Sequence, residues 1–424
     1  MAGRASPRVH RRDIVAPRNA GVVWTTVVHT AWPRPFPHGV RVTSAARAAI
    51  LVGALGLTAL SLTACGAAPT KDAAGADGKN LATATSAADA GGMDALVAAA
   101  KKEGTLNAIA IPRDWANYGA IIDGFTAKYG IKVNVENPDG SSQDEINAVK
   151  SRKGQDRAPD VLDLGASFAQ AAGEQGLTAP YKVAAFAGIP ETQRDPEGRW
   201  FNDYGGYVSI GCDAKRVKVC PQTFADLLKP EYKGQVALNG NPTKSGSAFG
   251  GVYAAALANG GSFDDIKPGI DFFGKLKKNG NYNPVESTPA TVEKGETPIS
   301  IDWDYLNAGY AEQFASKGVD WKVAVPTDGV YAQFYSQAVN KDAPHPAAAR
   351  LWQEYLYSAE GQNLWLKGYA RPVLMPAMEA DGTLDKTAAA ALPKVTGTPK
   401  FPTEQQTSKA KETLSQGWAA AVSG

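Results

Sequence analysis

Three short stretches of this 424-residue chain carry side chains able to hold a charged small molecule. Trp303 stands between Asp302 and Asp304, and Asp114 precedes Trp115. Carboxylates beside an indole face suit an amine, through charge-assisted hydrogen bonds and a cation–π contact worth about 0.5–2 kcal/mol. The same residues also fit a core tryptophan with aspartates capping the next helix, and Asn117 reads as an N-cap. The third stretch, Lys244-Ser245-Gly246-Ser247, points the other way. Small residues entering a helix offer backbone N–H groups to phosphate, phosphonate or carboxylate, or they make a tight turn with a serine cap. Arg113 adds charge there or is simply solvated.

Chemistry that depends on histidine is nearly closed off. Of the four histidines, His10, His29 and His38 precede Cys65, and His345 lies between two prolines as a turn residue. A Ser-His-Asp triad, a His-rich zinc site and HExxH are therefore excluded or nearly so. No GxSxG, GxGxxG or GxxxxGK[ST] follows Cys65. No cofactor or metal is expected, and no enzyme activity. Among hydrolases only carboxylate- or lysine-based chemistry stays open.

The elements that must position these residues start after Leu62-Thr63-Ala64-Cys65. An apolar run from Ala48 to Leu62 follows Arg41 and Arg47, which makes a secretory signal too short to span a bilayer. The stretch resembles the lipobox of bacterial lipoproteins, implying that residues 1–64 are removed and Cys65 is lipidated. Met1 to Gly39, rich in Arg, Pro and Trp, is unlike a signal, so translation is expected to begin at Val40 or Val42. Residues 1–64 hold eight Arg and one Asp, so their loss shifts the formal charge from +2 by −7, to about −5. That balance gives no footprint for nucleic acid. Cys212 and Cys220 remain, an even pair that favours a disulfide in a secreted chain, with two free thiols as the alternative.

About 360 residues after Cys65 suggest two lobes. Residues 65–92, mostly small, read as a flexible tether. A helix from Met93 to Glu103 ends at Gly104. Strand and helix then alternate: 106–111, 118–129, 131–135, a helix opened by a Ser142–Glu145 capping box, and the strand 161–164 running into a loop at Gly165 to Ser167. This half reads as α/β with a largely parallel sheet. A second alternation follows: a helix from Thr223 to Leu228, the strand 235–238, a loop Asn239 to Ser247, helices near 252–257 and 270–278, and the strand 298–301 leading into Trp303. Strands 323–325 and 333–339 and helices 347–357, 359–367 and 404–418 complete the chain.

Several of these pieces together resemble the periplasmic-type solute-binding proteins of ABC importers, in the group with ferric, polyamine and phosphonate binders. They are Leu96 to Gly104, Phe125 to Val133, Ala225-Asp226-Leu227-Leu228-Lys229-Pro230-Glu231-Tyr232-Lys233-Gly234 and Ser358-Ala359-Glu360-Gly361-Gln362. The resemblance implies a two-lobe, type II α/β clamp with hinge crossovers near Tyr207 to Gly211 and Val323 to Tyr335. Lobe one is then 93–208, completed by 323–424, and lobe two 212–322, with the ligand between them. Ligands of open α/β sheets sit beyond the carboxyl ends of strands. The candidate ligand set is accordingly Asp114, Trp115, Ser167, Tyr204, Ser245, Ser247, Asp302, Trp303, Asp304, Asp328 and Tyr331.

Ferric binders of the group carry an adjacent tyrosine pair where this chain has Trp303-Asp304-Tyr305, which argues against phenolate chelation. Polyamine binders show an acid three residues after the Trp, where Leu306 stands. A small zwitterion, amine at one end and acid at the other, uses both kinds of feature, so the expected solute is amine-containing or zwitterionic, polyamine- or aminophosphonate-like. The expectation is a monomeric, lipid-anchored protein on the outer face of the bacterial cytoplasmic membrane, serving an ABC permease and ATPase. The rival readings are a surface sensor, a ferric or anion binder, and a secreted hydrolase.

Overall fold

The computed structural model describes residues 80–396 and 401–423. Cys65, the apolar run before it and the expected start at Val40 or Val42 lie outside the described residues. The strands are β1 (Thr105–Ile109), β2 (Lys132–Glu136), β3 (Val161–Gly165), β4 (Thr178–Ala179), β5 (Phe201–Asp213), β6 (Val236–Leu238), β7 (Ile299–Trp303), β8 (Trp321–Ala324), β9 (Ala332–Asn340) and β10 (Arg371–Pro372). The helices are α1 (Met93–Glu103), α2 (Tyr118–Tyr129), α3 (Ser142–Ser151), α4 (Ala166–Glu174), α5 (Gly246–Ala258), α6 (Lys267–Asn279), α7 (Pro289–Lys294) and α8 (Asp304–Gln313). After β9 come α9 (Pro346–Leu356), α10 (Ala359–Lys367), α11 (Met375–Asp381), α12 (Lys386–Ala390) and α13 (Glu404–Val422).

Local chemistry sets many of the boundaries. Gly104 and Gly130 end α1 and α2 in the left-handed region, which glycine enters without a Cβ penalty. Helix α5 is apolar all round, and every residue from Gly246 to Ala256 is buried, as a central helix requires. The box opening α3 is formed by Ser141 with Asp144, one residue earlier than the sequence pattern suggested. That register turns Ser142 and Glu145 inward rather than leaving them at the cap. The Thr223 segment makes only a 3₁₀ turn, Asp226–Leu228, because Pro230 cuts it short. No loop separates β3 from α4, and Ser167 lies inside the helix.

The sheets are mixed rather than largely parallel. β1 and β2 pair in parallel, as do β6 and β7. The long strands are antiparallel: β3 and β4 pair with β9, and β9 with β5. The reason is that β5 runs on from one set of partners to the next, and the chain returns at Ala332 to run as β9 beside it, with no helical crossover between the paired strands. β5 changes partner midway. Its first half, to Tyr207, lies against β9, while Val208 to Asp213 lies against β7 and β8. Between Ala324 and Ala332 the chain crosses back from β8 to β9. Gly206 permits the crossing, since a Cβ there would run into the Asp304 carboxylate and the Tyr305 ring. Cys212, near the end of β5, is joined to Cys220 with a Cα–Cα separation of 5.8 Å. A loop this short stabilises by roughly 2.5 kcal/mol in the chain-entropy picture.

The end of the expected tether is folded. Leu81 is 1% exposed, and the buried Arg350 guanidinium of α9 donates to the carbonyls of Ala82 and Ala84 at 2.8 Å each. Leu81 supplies an apolar contact that the small-residue composition of the segment hides. Among the described residues no helix is long and apolar enough to cross a membrane.

Candidate functional site

Between the two lobes lies a cleft of about 500 Å³. Lobe one contributes Asp114 and Trp115 after β1, Asp139 to Ser142 entering α3, Glu145, and Asp163 of β3. Lobe two contributes Asn239 after β6, Ser245 and Gly246 entering α5, the segment Glu286 to Ala290, and Tyr310 of α8, while Tyr335 of β9 closes the floor. The cleft thus opens beyond the carboxyl ends of β1, β3 and β6.

Its electrostatics have one sign. Asp114, Asp139, Glu145, Asp163 and Glu286 line it, and no lining residue is Lys, Arg or His. Burial is the largest cause raising the Asp163 carboxyl to about 7, against hydrogen bonds from Tyr204 and Tyr118 that favour the ionised form. Burial raises Glu145 well above the usual carboxylate range, with Asp163 adding to it. Glu286 is raised by desolvation first and by Asp139 on the opposing lobe second.

The deepest part is a buried polar network. Tyr118 and Tyr204 each donate to Asp163 Oδ2 at 2.9 Å, and Gln337 Nε2 reaches Asp203 Oδ2 at 2.9 Å. Glu145 accepts the Asp163 backbone N–H at 2.9 Å, and Ser142 accepts that of Gly165 at 3.0 Å. The Trp115 indole N–H donates to the Tyr204 hydroxyl at 2.8 Å. Its ring meets Tyr335 and Tyr305 edge-on at 5.8 and 6.1 Å, so the indole wall is held from both lobes.

Of the candidate residues, Asp114, Trp115 and Ser245 line the cleft. Ser245 is also the cap of α5, accepting the Ala248 N–H, and Lys244 beside it is exposed away from the lining set. Arg113 pairs with Asp123 at 2.6 Å on the surface. Tyr204 lies directly behind the wall. The rest sit elsewhere. Trp303 is fully buried in lobe two, where Gly250 makes room: a Cβ there would stand 2.7 Å from the indole. Asp302 is buried under donors from Asn239, Ser247 and the Trp303 backbone, its carboxyl pushed up to about 6 by burial. Asp304 pairs with Arg371 at 2.5 Å and accepts the Tyr207 N–H. Asp328 accepts the N–H groups of Phe224 and Ala225, ordering a turn. Ser167 lines neither the cleft nor a second cavity of about 660 Å³ beside α4 and α13, where Tyr331 lies.

Sequence reasoning passed over Glu145, Asp163, Glu286 and Tyr335. One signal was readable: Asp163 is a charged residue inside the apolar strand Val161-Leu162-Asp163-Leu164, and a lone buried acid needs a reason. Among the described residues no group of three or more His, Cys, Asp or Glu is placed to hold a metal ion.

Two α/β lobes closing on a cleft, joined by strands that pass between them, define a binding clamp of the type II periplasmic kind. Comparison with solved structures agrees. AfuA from Actinobacillus pleuropneumoniae, a periplasmic binding protein with exogenous fructose-6-phosphate bound, aligns with a TM-score of 0.61 at 20% identity, over 75% of this chain and 99% of that one. The ferric binding protein from Campylobacter jejuni gives 0.56 at 19% identity, over 74% and 99%. A putative spermidine/putrescine ABC transporter from Listeria monocytogenes gives 0.55 at 14%, over 74% and 98%. Residues 156–397, more than half of the chain, match the family described as bacterial extracellular solute-binding protein, and the chain belongs to that family. It is a solute-binding protein of the ABC-importer type, a kind that holds small molecules outside the cytoplasmic membrane and works with a permease and an ATPase rather than as an enzyme.

Proposed function

We propose that this protein captures an amine-bearing solute, a polyamine or another organic cation, and delivers it to an ABC permease. The observation that carries the reading is the charge of the cleft: five carboxyl side chains and no basic one line it, beside the Trp115 ring. A cation gains from both, through charge-assisted hydrogen bonds and cation–π contact. A phosphate or phosphonate ligand finds no lining base. A zwitterion remains compatible through Ser142, Ser245 and Thr288, whose hydroxyls face an acid group less strongly than a guanidinium would. Iron held by phenolates is disfavoured, because burial drives the Tyr305 hydroxyl well above its usual range and keeps it protonated. Closure follows from differential affinity: a ligand touching Asp163 on lobe one and Glu286 on lobe two favours the closed clamp, which the permease reads.

The lobe borders near 208–212 and 322–323, a monomeric state and a lipid attachment at Cys65 belong to the same reading. They leave the clamp held at the outer face of the membrane beside its permease. Mass spectrometry of the membrane-extracted protein should find a diacylglyceryl-modified Cys65 as its first residue, and Cys65→Ser should release the protein to the medium. For the ligand, a thermal-shift screen of amines, amino acids and sugar phosphates decides. A ligand at 100 times its Kd adds about 2.7 kcal/mol. Stabilisation by sugar phosphates but by no amine would reject the cation reading.

A further inference from the structure

The second cavity, of about 660 Å³, lies between α4, the start of β5, the start of β9 and the segment entering α13, and it shares no lining residue with the cleft. Its size is that of a small-molecule site. Two amides on its wall are the telling feature. Asn202 of β5 is 7% exposed and Gln333 of β9 is 9% exposed. Each uses its oxygen inside the protein: Asn202 Oδ1 accepts the Ser336 hydroxyl at 2.8 Å, and Gln333 Oε1 accepts that of Tyr331 at 3.1 Å. Among the described residues neither amide nitrogen has a partner, and neither is sealed from solvent. A nearly buried donor left unmet is costly, so a fold keeps one where a molecule from outside supplies the acceptor. Trp200, Phe334 and Phe401 add aromatic surface. Gly173 seats the Trp200 indole, since a Cβ there would stand 3.2 Å from the ring. The charged groups are matched or stand at the mouth. Asp195 pairs with Arg199 at 2.5 Å, Arg194 covers the Phe186 ring at 4.7 Å and donates to the Phe186 carbonyl, and Glu174 and Glu191 are exposed.

We infer that this cavity is a second binding site, for a neutral sugar. Hydroxyl oxygens accept from the Asn202 and Gln333 N–H groups, and their protons go to the side-chain oxygens of Gln170 and Thr403. The apolar face of a pyranose ring loses water against Trp200 and Phe401. An ion suits the cavity less. Glu174, Glu191 and Asp195 oppose an anion, and Arg194 and Arg199 oppose a cation. The cleft differs in kind, because every charged residue lining it is an acid. The two sites are therefore built for different chemistry, and the sugar site stands whatever solute the cleft takes. Its walls come from three parts of the molecule. α4 and the start of β5 belong to lobe one, Tyr331 to Phe334 follow the crossing from β8, and α13 is seated on α6 of lobe two, with Trp418 against Phe273 at 5.3 Å.

The test is isothermal titration of the full chain, purified in detergent, at pH 8, with glucose, N-acetylglucosamine, trehalose and maltose as probes. The expected result is saturable binding of at least one of them. Asn202→Asp and Gln333→Glu keep the oxygen that serves Ser336 or Tyr331 and replace the free nitrogen, so each should weaken that binding about tenfold. Trp200→Ala removes the aromatic face and should weaken it about tenfold or more. Circular dichroism identifies the variants that fold, and any one that does decides. Should none fold, amide hydrogen exchange of the unaltered protein decides instead: the bound sugar should slow exchange at 200–203 and 331–334, and slowing at 139–145 and 286–290 in their place overturns the inference. No binding of any of the four sugars overturns it as well. So does binding that the folded variants leave unchanged, or binding lost in Trp115→Ala but kept in Trp200→Ala, which would put the sugar in the cleft. None of these outcomes touches the amine reading of the cleft except the last, so the two readings fail separately.

Discussion

The two lobes each bury aspartates within or just after a strand, and they treat them in opposite ways. In lobe two, Asp302 and Asp304 flank the core Trp303, and each is supplied with donors. Asp302 has Asn239, Ser247 and a backbone N–H, and Asp304 has Arg371 and the Tyr207 N–H. In lobe one, Asp163 Oδ2 accepts two tyrosine hydroxyls, while its Oδ1 is buried beside a second acid, Asp203. Both arrangements desolvate a carboxyl, but only the first repairs the loss internally. A buried acid with a full set of donors is a structural joint. The joint here also ties β5, α8 and β10 together where the chain passes between lobes.

The largest effect should come from breaking the satisfied side. Arg371→Ala leaves the Asp304 carboxylate buried without its cation, a change that typically costs about 3–5 kcal/mol. Denaturant unfolding should show that loss at pH 8 and a smaller one at pH 5, because protonating an uncompensated carboxyl relieves it. Equal losses at both pH values would mean that Arg371 acts through packing alone. Trp303→Ala belongs to the same side: it should cost about 3–5 kcal/mol by opening a core cavity, while any folded protein binds ligand nearly as before.

On the unsatisfied side the sign reverses. The Asp163 carboxyl titrates near 7 when folded, far above the unfolded value, so the folded state holds a proton that the unfolded chain gives up. Its contribution to stability is complete below about pH 4, declines as pH rises toward 7, and is then gone. Glu145 and Asp203, also raised by burial, act in the same direction. The empty protein should therefore lose stability from pH 5 to 8, by up to about 1.4 kcal/mol per unit for each such group. Asp163→Asn should flatten that slope, and unfolding curves at pH 5, 6, 7 and 8 would reveal it. A slope unchanged by the substitution would place the titration on its neighbours.

This contrast explains what could be read from sequence. The order of most elements follows from periodicity and glycine stops, and the type II clamp from the likeness of four stretches to a known family. The candidate site was harder, because an indole between two aspartates looks the same whether its donors come from ligand or from protein. The donors of Asp302 and Asp304 lie at Asn239, Ser247, Tyr207 and Arg371, between 55 and 97 residues away, a span that local spacing does not reach. Glu145 was hidden by a one-residue slip in the capping box, Ser141 with Asp144 rather than Ser142 with Glu145. The sheet was misjudged because strands that cross between lobes carry no signal distinguishing them from strands joined by helices.

Trp115 offers the finest test, since it belongs to the wall of the cleft and to the network behind it. Its ring faces the cavity, and its N–H holds the Tyr204 hydroxyl that in turn donates to Asp163. Trp115→Ala removes both and should weaken amine binding by about 2- to 30-fold, the range that 0.5–2 kcal/mol of cation–π contact implies. Trp115→Phe keeps an aromatic face and loses the N–H, leaving Tyr204 with one partner fewer. If the face carries the effect, the phenylalanine variant recovers most of the affinity at every pH. If the hydrogen bond matters as well, its recovery is partial, and the pH at which binding saturates shifts, because Tyr204 no longer steadies the ionised Asp163. Comparing the two variants across pH separates contact from positioning, a division that stability measurements on Trp303 cannot make.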